Sequence, residues 1–87
     1  MVEREVIIRN RAGMHTRPAA TLVKTAARLK SDFYIIKDSM EINGKSIIGV
    51  MTLAAEQGSK LQLHFIGEDE RDAADAVVAL FERGFDE

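Results

Sequence analysis

Apolar and polar positions alternate at the start of the chain: Val2, Val6 and Ile8 are interleaved with Glu3, Glu5 and Arg9, with Ile7 as the exception. That period of two predicts a half-buried strand over residues 2–9. From Thr16 the period changes. Ala19, Leu22, Val23, Ala26 and Ala27 recur at helical spacing, with Lys24 and Arg28 off the stripe and Pro18 in the first turn, which predicts a helix over roughly 16–29. Ser31-Asp32 breaks it. Phe33 to Ile36, then Met40 and Ile42 across Lys37-Asp38-Ser39, predict a β-hairpin. Asn43-Gly44 marks a turn, and Ser46 is a good N-cap for a short helix carrying Ile47, Val50, Met51 and Ala54. Leu61, Leu63 and Phe65 alternate with Gln62 and His64 in a strand that Gly67 ends. Ala74, Val77, Val78 and Phe81 then mark a last helix closed by Gly84.

The order β-α-β-β-α-β-α, with one apolar face per strand, predicts an α+β open-faced β-sandwich: a four-stranded antiparallel sheet with three helices on one face. With 87 residues, one proline and no repeat or linker, a single domain over residues 1–87 is expected. An apolar fraction of 46% against 30% charged is a globular balance. The absence of cysteine excludes disulfide staples and thiolate metal sites, so the chain reads as cytoplasmic. No apolar run reaches the length of a membrane span. Twelve basic against fourteen acidic side chains give a net charge of -2, a poor match for nucleic acid.

The segment Gly13-Met14-His15-Thr16-Arg17-Pro18-Ala19 places an imidazole at a helix start, with a guanidinium two residues on. The first N–H groups of a helix lack intrahelical partners and its macrodipole is positive there, so an anion beside His15 is favoured. The same field disfavours the imidazolium and favours a neutral, nucleophilic ring. Arg17 could pair with phosphoryl oxygens through its fork of donors. The plainer alternative makes His15 a helix cap and Arg17 a surface charge. No metal set is indicated, because the second histidine, His64, alternates onto the polar face of its strand. Neither a nucleophile elbow nor a Gly-rich phosphate loop is present.

Ala12-Gly13-Met14-His15-Thr16-Arg17-Pro18-Ala19-Ala20 resembles the active-site signature of the HPr family, the histidine-containing phosphocarriers of the bacterial sugar phosphotransferase system. Asn43-Gly44-Lys45-Ser46-Ile47-Ile48-Gly49-Val50-Met51 resembles the family's regulatory-serine region, and Gln57-Gly58 before the Leu61 strand its continuation. The resemblance implies that enzyme I, phosphorylated from phosphoenolpyruvate, passes a phosphoryl group to Nδ1 of His15. From there it goes to enzyme IIA domains of sugar permeases, with Arg17 as phosphoryl clamp and no cofactor. It also implies that Ser46, which an N-capping role alone would explain, is a target of HPr kinase/phosphorylase. Thr16, Ala20, Lys24, Ile47, Ile48, Met51 and Thr52 correspond to the family's partner-docking surface. A short helix cannot bury Ile47, Ile48 and Met51 together, so at least one of them faces outward. The alternative within the family is a carrier of a nitrogen-related or purely regulatory branch. Remoter alternatives are an ACT-like or ferredoxin-like regulatory domain and a catalyst using His15 as general base. Both lack support: the first the His-Thr-Arg-Pro helix start, the second a second catalytic group.

Overall fold

A computed structural model describes residues Met1–Glu87. The strands are β1 (Val2–Ile7), β2 (Asp32–Lys37), β3 (Met40–Asn43) and β4 (Lys60–Ile66). The helices are α1 (Thr16–Ala26), α2 (Ile47–Thr52) and α3 (Glu70–Glu82), followed by a 3-10 turn at Gly84–Asp86. The sheet order is β1-β4-β2-β3 and every pairing is antiparallel, so the last strand is inserted between the first two. This is the open-faced sandwich that the sequence pattern predicts.

Alternation fixes the two faces. Val6, Phe33, Ile35, Leu61, Leu63 and Phe65 point into the core, while Glu3, Glu5 and Gln62 face solvent. His64 sits on that open face between Glu3 and Tyr34. Phe33 and Phe65 are paired across β2 and β4, and their rings stack with centroids 4.7 Å apart. Gly44 lies against this stack; a Cβ there would come within 2.3 Å of the Phe33 ring, which is why the turn carries a glycine. Each fully buried aromatic of this kind contributes about 2 kcal/mol of hydrophobic stabilisation. Above the sheet, α1 buries Pro18, Ala19, Leu22 and Ala26, and α3 buries Ala73, Ala74, Val77, Leu80 and Phe81.

The boundaries depart from the periodicity in four places, each with a local cause. β1 ends at Ile7 rather than at residue 9, because the Ile8 N–H and carbonyl pair with Ser59 and Gly58 in a loop. α1 stops at Ala26 and leaves Ala27 exposed: Arg28 and Leu29 already make i→i−3 bonds, and the Lys45 ammonium takes the Leu29 carbonyl at 2.8 Å. α2 does not include Ala54, which is exposed with φ 48°, whereas its neighbours Leu53 and Ala55 are buried. Gly84 does not end the chain's packing. It opens a turn that buries Phe85 edge-on against Phe81, with centroids 4.9 Å apart.

Asp69, at the start of α3, clasps the α1–β2 connection. Its carboxylate accepts hydrogen bonds from the Ser31 hydroxyl, the Lys30 N–H (3.0 Å) and the Ser31 N–H (2.8 Å). The Ser31 hydroxyl, followed by the Lys30 N–H, holds the carboxyl down at about 2, well below its ordinary value. A carboxylate whose pKa is lower in the folded state stabilises the fold fully above its unfolded pKa, and the gain is lost as pH falls through the folded value. The advantage of the native protein over Asp69→Asn in thermal unfolding should therefore be full above about pH 4 and shrink as pH falls towards 2. Melting curves of both proteins across that range check this.

Candidate functional site

The β1–α1 loop is locked to the chain that follows α2. Gly13 has φ 71°, and a Cβ on it would lie 2.5 Å from the Ala55 carbonyl oxygen, so only glycine allows the approach. The Met14 N–H donates to that same carbonyl at 2.8 Å, and the Met14 side chain is buried. The Gly13 carbonyl in turn accepts from the buried Asn10 amide Nδ2 (2.6 Å) and from the His15 N–H (3.0 Å). The backbone of His15 is thus held from both sides.

His15 is the N-cap of α1. Its backbone is extended (φ −86°, ψ −169°) and its carbonyl accepts the first helical bond from the Ala19 N–H at 3.0 Å. Its imidazole does not cap the helix, so the plain capping role that the sequence left open does not describe this side chain. The N–H groups of Thr16 and Arg17 have no protein acceptor, Pro18 has no N–H, and the first turn carries no acidic residue. Two donors and the positive end of the helix dipole are therefore available to an anion beside His15.

A carboxylate already stands there. Glu87 Oε1 lies 3.2 Å from His15 Nε2 and Glu87 Oε2 lies 3.5 Å from Arg17 Nη1, so one side chain bridges imidazole and guanidinium. Arg17 is otherwise free, with 78% of its side chain exposed. The positive field of the helix start and the negative charge of Glu87 act on the imidazole in opposite senses. Sequence reading missed Glu87, because 72 residues separate it from His15 and no local pattern links them.

The other candidate residues fall into two groups. Thr16, Ala20 and Lys24 are exposed and follow one another every four residues along α1, on a single helix face. Ile47, Ile48 and Met51 are all exposed, Ile48 by 77%, and Val50 alone is buried in α2. Thr52 is also exposed, its hydroxyl donating to the Ile48 carbonyl at 2.7 Å. Ser46 caps α2, its Oγ accepting from the Gly49 N–H at 3.1 Å.

The two helices run in opposite directions: the end of α2 meets the start of α1 through Ala55 and Met14, and Lys45, before α2, reaches Leu29 beyond the end of α1. Ser46 therefore stands away from His15 by about the 16 Å length of the 11-residue α1, not beside it.

A family model described as "PTS HPr component phosphorylation site" matches residues 2–83. The chain belongs to the HPr family. It is similar to the phosphocarrier protein HPr of Treponema pallidum, with 45% identity over 87 residues, 100% of this chain and 99% of that protein. The crystal structure of HPr-C-His from Thermoanaerobacter tengcongensis superposes with a TM-score of 0.96 at 41% identity, covering 100% of this chain and 98% of the other. The phosphocarrier protein NPr of Proteus mirabilis is also similar, at 41% identity over 85 residues, 97% of this chain and 94% of that protein. Members of this family are phosphocarriers of the phosphotransferase system.

The lock at Gly13 is testable by contrast with Gly58, which has φ 89° but open space where a Cβ would go. Gly13→Ala adds a backbone clash to the conformational cost and should lower stability by about 3 kcal/mol, against about 1 kcal/mol for Gly58→Ala. Urea unfolding of the two variants measures the difference.

Proposed function

We propose that His15 accepts a phosphoryl group at Nδ1 from phosphorylated enzyme I and passes it to enzyme IIA domains, with Arg17 as clamp. The observation that carries this reading is an imidazole at the start of α1 that does not cap the helix, beside two unpaired N–H groups and a largely exposed guanidinium, with Glu87 as the partner of both side chains. With Nε2 engaged by Glu87, the neutral ring presents its lone pair at Nδ1. Attack forms the Nδ1–P bond while the bond from phosphorus to the donor group breaks and its electron pair returns to the donor. Arg17 and the Thr16 and Arg17 N–H groups then face the phosphoryl oxygens. Their grip is moderate because the site is open to solvent, which suits a group that has to leave again.

His15 and Arg17 line none of the molecule's three grooves, of about 130, 320 and 240 Å³. An acceptor standing on open surface suits a reaction whose other half is a protein. In this reading the chain is a carrier, modified and restored in each cycle, rather than a catalyst. Thr16, Ala20 and Lys24 on α1, with Ile47, Ile48, Met51 and Thr52 on α2, form the partner-docking surface. Its exposed aliphatic side chains suit an interface core. The similarity to NPr supports a second reading, in which the partners belong to a nitrogen-related branch with the same chemistry at His15.

Ser46 is proposed as a regulatory phosphorylation site for HPr kinase/phosphorylase. A phosphate on the cap would add close to two negative charges to the docking surface. Because Ser46 and His15 lie at opposite ends of the helix pair, this regulation acts on partner approach and not on the imidazole itself.

Phosphoenolpyruvate plus enzyme I should add one acid-labile, base-stable phosphate to the native protein and none to His15→Ala. In the same assay Arg17→Ala should stay folded but transfer more slowly, by about 2 kcal/mol in the barrier. Labelling of His15→Ala, or no labelling of the native protein, would sink the reading, and an unchanged rate in Arg17→Ala would make Arg17 a bystander.

Ser46→Asp separates the cap from the switch. Aspartate is also a good N-cap, so melting should be unchanged or slightly raised. Phosphorylation of His15 by enzyme I should slow, most clearly at low salt. Equal rates for Ser46→Asp and the native protein would leave Ser46 as a cap only.

A further inference from the structure

β1 forms one edge of the sheet and has a hydrogen-bonded neighbour, β4, on one side only. Just past β1, the Ile8 N–H donates to the Ser59 carbonyl, and the Ile8 carbonyl accepts from the Gly58 N–H. By the two-residue repeat of a strand, the peptide groups of Val6, Arg4 and Val2 point the same way, towards β4. Those of Glu3, Glu5 and Ile7 therefore point outward, and an unpaired row of donors and acceptors is a template for a further strand. The chain itself takes one of these groups: Arg4 Nη1 donates to the Glu3 carbonyl at 2.9 Å. The open stretch is residues 5–7, with the N–H and carbonyl of both Glu5 and Ile7 on offer.

A hollow of about 130 Å³ lies beside that stretch, between Val6 of β1 and Val78 and Phe81 of α3, with Arg9 and Glu82 in its lining. On the open face of the sheet, Glu5 is exposed and makes no ion pair. Its neighbour across β4 is Gln62, whose amide comes only within 3.5 Å.

We infer that the β1 edge at residues 5–7 docks an extended segment of another protein, which joins the sheet as a fifth strand and carries an aliphatic residue followed by a basic one. The order follows from strand alternation. In an antiparallel fifth strand, the residue opposite Glu5 lies on the open face, and a lysine or arginine there supplies the cation that Glu5 lacks. The residue before it stands opposite Val6 on the other face, where an aliphatic side chain fills the hollow over Val78 and Phe81. A second copy of β1 does not fit. Its side chains on the open face are Glu3, Glu5 and Ile7, so every register sets a carboxylate or an isoleucine beside Glu5. The site also stands apart from the α1–α2 surface, because β1 and β3 are opposite edges, α3 packs on β1 and α2 packs on β3. A protein held at β1 leaves Ile47, Ile48 and Met51 uncovered, and the inference does not rest on the carrier reading.

The probe is a short capped peptide with valine followed by lysine at its centre and only serine and threonine elsewhere. With so few contacts, a dissociation constant of about 1 mM is expected. Amide NMR of the isotope-labelled protein with the peptide at about 5 mM should show the Glu5 and Ile7 N–H signals shifted and exchanging with water about fivefold more slowly. Glu5→Lys should weaken binding by about fivefold, and a peptide with glutamate in place of lysine should bind that variant better than the native protein. Replacing the peptide's valine by aspartate should abolish binding to the native protein, a comparison in which the protein is unchanged. Glu5 and Ile7 signals that do not move at about 5 mM peptide, or binding indifferent to the charge reversal, would overturn the inference. So would the same shifts on concentrating the protein alone, which would make a second copy the occupant.

Discussion

The site depends on the closeness of two loops at Gly13 and Ala55. Because Gly13 has no side chain and adopts a left-handed backbone, the Met14 N–H reaches the Ala55 carbonyl and the two loops become one unit. That bond sets where α1 begins, and α1's first turn sets where an anion is attracted. It also joins the end of α2 to the start of α1, which fixes the direction in which α2 runs and thereby the separation of Ser46 from His15. A change at Gly13 would therefore reach further than its own loop.

Around this lock, three side chains bind backbone groups just past helices α1 and α2. Lys45 takes the Leu29 carbonyl beyond α1, and Lys37 approaches the Leu53 carbonyl just after α2 at 3.4 Å. Asp69 takes the N–H groups that follow α1. Each satisfies backbone groups in the segment just beyond a helix. At the start of α1 the Thr16 and Arg17 donors stay open, and the carboxylate set against His15 and Arg17 belongs to Glu87 on a different element.

Much was legible in the sequence because the information was local. Spacing, a β-rich run and turn and cap residues located all four strands and three α-helices, and Gly13 to Ala19 marked the one helix start that combines an imidazole with a guanidinium. The exposure of at least one apolar residue on α2 followed from the geometry of a short helix, which can turn only one face inward; Ile47, Ile48 and Met51 are in fact all exposed. The ends of elements were less legible. Ala27 and Ala54 fit their helical stripes, yet both lie outside the helices, since hydrogen bonds from remote residues and a reversed backbone decide where a helix stops.

The sequence by itself determined the element order, the two faces of the sheet and the chemistry gathered around His15, because each is written in the spacing of neighbouring residues. Only the tertiary structure decided that Glu87 meets His15 and Arg17, that Ser46 stands at the far end of the helix pair, and that Phe85 belongs to the core. These are contacts between elements distant in the chain. They arise from how helices and turns dock on the sheet, and side-chain periodicity carries no record of that docking.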